Sequence, residues 1–400
     1  MRVVSCLLII LLGLSIMFCT GPTAKQKKGE VPSTLMELSD YQRVEEPIDF
    51  YDLVEVIDFV SLKDSERFYV TDIQKVEKWQ DKFILLDKNK HVVVVFDGNG
   101  NFISTVGEIG EGPGQYRGAS DVIVDEERKL ILVFSRGDQA WFEFDENLVF
   151  RRKVKLGFWA SYMSLLRSDH LAFYRDMEKD GEGNIWMCNT DGEVLEKRMF
   201  YPEGKKYYAF AYTGFLKNGY YTYPLSSKIY QLNENQKSDK LIWQIGIPGG
   251  LEEDKIFDHQ EYLDIGYTDF AAQKSILNHF EVGSEGKELI FSYGYKKGTK
   301  RMMGKGVLNR SGQLFTHENL NRDWFSKSFF SSQQLPKYSA IHNSFFAVAD
   351  MEYLEKFFQV NENAEQQSRQ SPLEKVLAKA GPEDNPVIVQ FAIKKKLALD

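Results

Sequence analysis

The feature that most constrains this chain is a hairpin signature that returns at nearly fixed intervals. An aromatic or aliphatic strand meets an Asp or Asn, the chain turns within a few residues, and a strand runs back. It occurs at Phe96-Asp97-Gly98-Asn99-Gly100, Phe144-Asp145-Glu146-Asn147, Asn189-Thr190-Asp191-Gly192, Leu232-Asn233-Glu234-Asn235 and Leu308-Asn309-Arg310-Ser311-Gly312. Asn, Asp and Gly suit such turns because they tolerate positive φ and bond their own backbone. From Asp97 through Asp145, Asn189 and Asn233 to Asn309 the steps are 48, 44, 44 and 76 residues. A step of about 40–45 residues is one four-stranded propeller blade, and the long last step leaves room for an insertion.

Residues 79–125 show the pattern at close range. Phe83–Leu86 is a short apolar run, Lys88-Asn89-Lys90 a polar turn, and His91–Phe96 a run rich in Val. β-Branched side chains favour strand over helix there. Phe102–Val106 returns as a further strand, and the glycine-rich stretch 107–118 crosses to Ser120–Val124, which closes a meander of blade length.

The two ends supply the rest of a ring. Ser371-Pro372-Leu373-Glu374 is a capping box with proline at the first helical position, and Gly381-Pro382 stops the helix it starts. After it, Asn385-Pro386 opens a strand over Val387–Ile393 whose return partner is missing. Asp49–Leu62 is a strand pattern with no preceding hairpin, so the two are expected to pair and complete a sixth blade, leaving no open sheet edge. The fold class is therefore all-β, a six-bladed β-propeller closed by its N- and C-terminal strands, with short helical insertions. The insertion of the long step falls within 247–285, where Asp269–Phe280 looks helical, and a second helical insertion spans about 351–381. The propeller itself covers 45–394, between a polar linker (20–44) and a short tail (395–400).

The first nineteen residues read as an address. Arg2 precedes an apolar run, Val3–Phe18, too short for a comfortable span of about 20 residues, and Cys19 ends it. That pattern resembles a lipoprotein signal peptide in which Cys19 becomes the acylated N-terminus, although Phe18 stands where the motif carries a small residue. With residues 1–18 removed and Cys19 acylated, Cys188 is left as a single thiol, so no intramolecular disulfide forms. A net charge of −8 without a segregated basic face excludes broad nucleic-acid binding.

Together these residues resemble the six-bladed β-propeller lipoproteins of Gram-negative bacteria, whose blades are similar to NHL repeats. Phe96-Asp97 with Gly100, the run Gly107–Tyr116, Asp121–Asp125 and the closing Asp384–Val389 carry the likeness. Ala119-Ser120 stands where NHL repeats place a proline, which weakens the tie to the enzymes of that group. The resemblance implies a cell-envelope location, lipid-anchored through Cys19 and facing the periplasm or in the outer membrane.

Gly107, Gly110, Gly112 and Gly114 fit neither the dinucleotide fingerprint nor a phosphate-binding loop, so they read as a structural crossing. Such a crossing lies at one mouth of the central channel. Gln115, Tyr116 and Arg117 are therefore candidate ligand contacts, with Trp159 and Tyr162, then Tyr208 and Tyr212, at the corresponding later crossings. Aromatic rings beside an arginine suit stacking on a sugar or a peptide. Histidines form no catalytic set: Asp169-His170 are adjacent, Asp258-His259 sit in the insertion, and no serine lies in a nucleophile elbow. The expected function is a non-catalytic binding or scaffold protein without a cofactor, taking a carbohydrate, peptide or protein at the channel mouth. The alternative is a metal-dependent hydrolase or lyase with calcium or another divalent ion in the channel.

Overall fold

Strands dominate because short apolar runs rich in β-branched and aromatic residues alternate with tight turns. In the computed structural model the described residues are 34–37, 53–63, 65–66, 68–175, 182–200, 216–223, 226–233, 238–247, 276–297, 300–316, 336–339, 342–349 and 386–395. All belong to one unit, Thr34–Asp400. The first two strands are β1 (Thr34–Glu37) and β2 (Val54–Ser61). Blade 1 follows as β3 (Ile73–Trp79), β4 (Lys82–Asp87), β5 (Val92–Asp97) and β6 (Phe102–Thr105). The crossing carries two short strands, β7 (Glu108–Ile109) and β8 (Gln115–Tyr116). Blade 2 is β9 (Asp121–Asp125), β10 (Leu130–Ser135), β11 (Ala140–Asp145) and β12 (Phe150–Lys155). Blade 3 is β13 (Tyr162–Arg167), β14 (His170–Tyr174), β15 (Ile185–Asn189) and β16 (Val194–Arg198). Blade 4 is β17 (Leu216–Lys217), β18 (Tyr220–Tyr221), β19 (Lys228–Gln231) and β20 (Lys240–Gly246). Blade 5 is β21 (Ile276–Val282), β22 (Leu289–Lys297), β23 (Lys300–Leu308) and β24 (Leu314–Thr316). Blade 6 is β25 (Lys337–Ser339), β26 (Ser344–Ala349) and β27 (Val387–Ile393), with β2 as its outer strand.

Ring closure follows the expectation from the two ends. β2 runs antiparallel to β27, from Val54 opposite Ile393 to Ser61 opposite Val387. The first strand of each blade faces the axis: β3 adjoins β9 and β25, β9 adjoins β13, and β13 adjoins β17.

All five hairpin anchors sit between the third and fourth strands of blades 1 to 5. In four of them the side-chain oxygen accepts two backbone N–H bonds. Asp97 caps Asn99 and Asn101, Asp145 caps Asn147 and Val149, Asn189 caps Asp191 and Glu193, and Asn309 caps Ser311 and Gln313, all at 2.8–3.1 Å. The residue at the left-handed position is Gly100, Gly192 or Gly312 in three of these turns and Leu148 in the fourth, at φ between +62° and +85°. A local preference, repeated, thus sets the register of each blade.

The period of two along each strand feeds two cores at once. In blade 1, Ile84, Leu86, Val93 and Val95 pack against Val122, Val124, Val133 and Phe142 of blade 2. The alternate residues Phe83, Leu85, Val94 and Phe96 pack against Phe346 and Ile388 of blade 6. Each such side chain contributes about 1.5–3 kcal/mol on burial. The same alternation joins blades 2 and 3 through Phe134, Trp141 and Phe173, and blades 4 and 5 through Ile245, Phe280 and Phe291.

Three expectations change. The meander read across 79–125 is one strand out of phase: blade 1 begins at Ile73, and Asp121–Asp125 opens blade 2. The sequence of β3, Ile-Gln-Lys-Val-Glu-Lys-Trp, hides a strand because Lys75, Glu77 and Lys78 interrupt the apolar alternation. Helix over Asp269–Phe280 fails where it is described, since Ile276–Val282 is β21, antiparallel to β22 from Ile276 opposite Gly294 to Val282 opposite Leu289. Thr34–Glu37, inside the segment read as linker, adds to blade 4 as a fifth strand parallel to β20. The helical insertion at 351–381 lies outside the described residues.

Candidate functional site

Strand order gives the ring two unlike ends. Turns between first and second strands, and between third and fourth, share one end and are short, such as Gln80-Asp81 and Asp169 with its neighbour. The other end carries the blade-to-blade crossings, of which 106–120 and 156–161 are described. Binding groups on such scaffolds concentrate in the longer connections.

At that end the glycine run folds on itself. β7 pairs parallel with β8, Gly110 N–H donates to Tyr116 O (3.0 Å), and Gly112 N–H donates to Gln115 Oε1 (2.9 Å). A Cβ on Gly107 would lie 2.6 Å from Gly114 O, so the glycines serve close backbone approach. Gln115 is occupied within this loop, its Nε2 also reaching Glu108 at 3.3 Å. Tyr116 is withdrawn from the mouth. Its ring is fully buried between blades 1 and 2, and its hydroxyl donates to Val106 O at 2.8 Å. Burial pushes the phenol up to about 12. As a contact for a ligand Tyr116 is a misreading, because an aromatic in a crossing loop carries the same sequence signal whether it points inward or outward.

Arg117 and the segment around Trp159 both contact one turn, residues 136–139, that the sequence did not single out. Arg117 N–H donates to Asp138 Oδ2 (2.8 Å), and its guanidinium is 62% exposed, 3.7 Å from Glu111. Asp138 also accepts from Lys153 Nζ and Ser135 Oγ, both at 2.8 Å. Burial works against its ionised form, but these donors outweigh it and hold the carboxyl below its usual range. Two residues before Asp138, the Arg136 guanidinium lies 5.0 Å from the Trp159 ring centroid. The indole is 44% exposed. Its backbone is fixed from two sides: Arg175 Nε donates to Trp159 O (3.3 Å), and Ala160 N–H donates to Gln139 Oε1 (2.8 Å). Arg175 in turn stacks on Trp186 at 4.1 Å and pairs with Glu182 at 2.8 Å. The result is a half-exposed indole with one guanidinium, that of Arg136, over its ring and its backbone held by Arg175 and Gln139. Tyr162 does not join it; half-buried in β13, it packs between blades 3 and 4. Tyr208, Tyr212 and Cys19 lie outside the described residues.

A second constellation lines the axis, and none of its residues was anticipated as a site. From β3, Lys75 Nζ meets Asp121 of β9 at 2.9 Å and Glu77 at 3.6 Å. Asp121 Oδ2 also accepts Met163 N–H of β13 at 3.1 Å. From β17 and β25, Lys217 and Lys337 both approach Oε1 of Glu281 on β21, at 2.5 and 3.3 Å. These groups are surrounded by protein, yet Lys75 and Lys337 remain 25% and 24% exposed, as linings of a lumen do. Burial pushes Glu77 up to about 7, reinforced by the Asp121 carboxylate and opposed by Lys75. Burial and the neighbouring Lys217 push Lys337 down to about 7. Burial would raise Glu281, but Lys217 and Lys337 outweigh it and hold it below the usual carboxylate range. Among the described residues no three His, Cys, Asp or Glu side chains gather as metal ligands.

Solved structures similar to this chain share its fold. A protein of Bacteroides fragilis NCTC 9343 described as exported superposes with a TM-score of 0.70 at 15% identity, covering 90% of this chain and 100% of that one. A member of the DUF4221 family from Bacteroides vulgatus ATCC 8482 gives 0.50 at 11% identity, covering 86% and 98%. At these identities the likeness speaks to the propeller alone. No curated protein matches the chain. The profile of a family described as a domain of unknown function, DUF4934, matches residues 36–391, nearly all of the ring, and the chain belongs to that family.

Proposed function

We propose that this protein is a non-catalytic binding protein of the cell envelope, lipid-anchored through Cys19, whose rim at Arg117, Arg136 and Trp159 takes an acidic carbohydrate. The observation that carries the reading is the half-exposed Trp159 indole with the Arg136 guanidinium 5.0 Å from its centroid and its backbone clamped by Arg175 and Gln139. An indole face stacks on the apolar face of a sugar ring, and a guanidinium pairs with a carboxylate or sulfate on it. The likeness in fold to an exported protein supports the location.

Calorimetric titration with polygalacturonate, heparin and neutral dextran separates the outcomes. The acidic polymers are expected to bind and dextran not to. Joint replacement Arg117→Ala and Trp159→Ala should weaken binding at least about tenfold while leaving the melting temperature unchanged, since both side chains are exposed. Acidic polymers that bind the double variant as tightly as the parent protein would sink this rim. The anchor has its own test: Cys19→Ala should move the protein from the membrane to the soluble fraction, and a variant that still sediments with membranes refutes acylation at that residue.

A further inference from the structure

The axial lumen is divided electrostatically. Towards blades 1 and 2, one ammonium group (Lys75) serves two carboxylates (Glu77 and Asp121). Towards blades 4, 5 and 6, one carboxylate oxygen, Glu281 Oε1, serves two ammonium groups, those of Lys217 and Lys337. Glu281 is 2% exposed and cannot turn away to share itself further. Like charges brought together in a poorly solvated space repel strongly, so this half of the lumen is short of one anion. A second observation points the same way. Ser339, two residues beyond Lys337 and so on the same face of β25, buries a hydroxyl that has no hydrogen-bond partner among the described residues. A buried hydroxyl is normally satisfied, and leaving it bare costs about 1–3 kcal/mol. Asn218 Nδ2 donates to Tyr338 O (3.2 Å), bridging blades 4 and 6 beside these residues at the short-turn end.

We propose that the lumen is a binding site for a small anion, a carboxylate or phosphate group held between the Lys217 and Lys337 ammonium groups with the Ser339 hydroxyl as a further donor. The site is separate from the rim and does not depend on it. Bound there, the anion supplies the missing negative charge and gives each ammonium a partner of its own. The groups that face Lys337 are Lys217 from β17 and Glu281 from β21. Lys75, Glu77 and Asp121 hold the opposite half.

Sodium acetate and sodium phosphate, titrated at constant ionic strength against a chloride control, test this on the full chain. At pH 6.5 a saturable rise of several degrees in melting temperature is expected with at least one of them, together with saturable heat in calorimetry. A response to acetate alone assigns a carboxylate ligand, and one to phosphate alone a phosphoryl ligand. Lys337→Met keeps the Lys217–Glu281 pair and should abolish the response, whereas Arg117→Ala with Trp159→Ala should leave it intact. Acetate keeps its charge between pH 6.5 and 8.5 while Lys337 loses its own, so its affinity in the unmodified protein should fall by about 25-fold over that range. That measurement stands even where the methionine variant does not fold. An equal response in Lys337→Met and parent protein, an affinity unchanged at pH 8.5, or no saturable response to either anion overturns the proposal.

Discussion

Val389→Pro is expected to lower the unfolding free energy by more than about 3 kcal/mol and to release the N-terminal strand of the ring. Val389 lies in β27, fully buried, opposite Ala347 of β26 on one side and Phe59 of β2 on the other. Proline there removes a ladder donor from a strand bonded on both edges, a position it does not occupy in natural sheets. The effect should exceed the local loss. β2 is held to the ring chiefly through β27, so its release exposes an open edge on blade 6 and uncovers Val60 and Leu62, which pack with Phe83 and Phe96 of blade 1. Urea denaturation read by circular dichroism gives the size, and limited proteolysis around 54–61 gives the place. A variant whose midpoint matches the parent protein, with β2 still protected, would show that the ring does not rely on this pairing.

Glu77→Gln should act in the opposite direction and stabilise the protein by about 2–3 kcal/mol at pH 7–8. The folded-state pKa of Glu77, raised chiefly by burial and then by Asp121 and Glu281, stands at about 7 against 4.5 ordinarily. Between those values the folded chain binds a proton that the unfolded chain has lost. Stability is therefore full below pH 4.5 and falls towards pH 7 by up to about 1.4 kcal/mol per pH unit, without recovering above it. Glutamine keeps the shape and removes the charge, and Lys75 retains Asp121 at 2.9 Å. The side chain is 14% exposed, so solvent screens little of the effect. Lys337 works with the reverse pH sense: its folded pKa is lowered, so its contribution rises between pH 7 and 10.5. Urea midpoints at pH 5 and pH 8 isolate Glu77, because the gain from the substitution should be small at pH 5 and large at pH 8. The same gain at both would mean that Glu77 is ionised throughout.

The hairpins were legible because their cause is local. Asp97, Asp145, Asn189 and Asn309 bond the N–H groups two and four positions ahead, and no distant residue takes part in that choice. β27 was legible for a related reason, as an apolar run bounded by Asn385-Pro386 that lacked a partner in its own vicinity. β3 escaped notice because the usual cue is apolar alternation, and Lys75, Glu77 and Lys78 replace it with charge that faces the axis or a neighbouring blade. Tyr116 and Trp159 show the limit from the other side. Both are aromatics in blade crossings, yet one is sealed against Val106 and the other stands half in solvent.

By itself the sequence determined what each short segment must do: turn, extend, cap or cross. That information is carried by residues within four positions of one another, where backbone preference and side-chain bonding act directly. The tertiary structure alone decided which segments meet. Arg136 reaches Trp159 only because blade 3 docks on blade 2. Lys75, Asp121, Lys217, Glu281 and Lys337 share one lumen only because the ring closes around them. Their charges act through space and not along the chain, so their sequence neighbours hold no trace of the partners that set their ionisation.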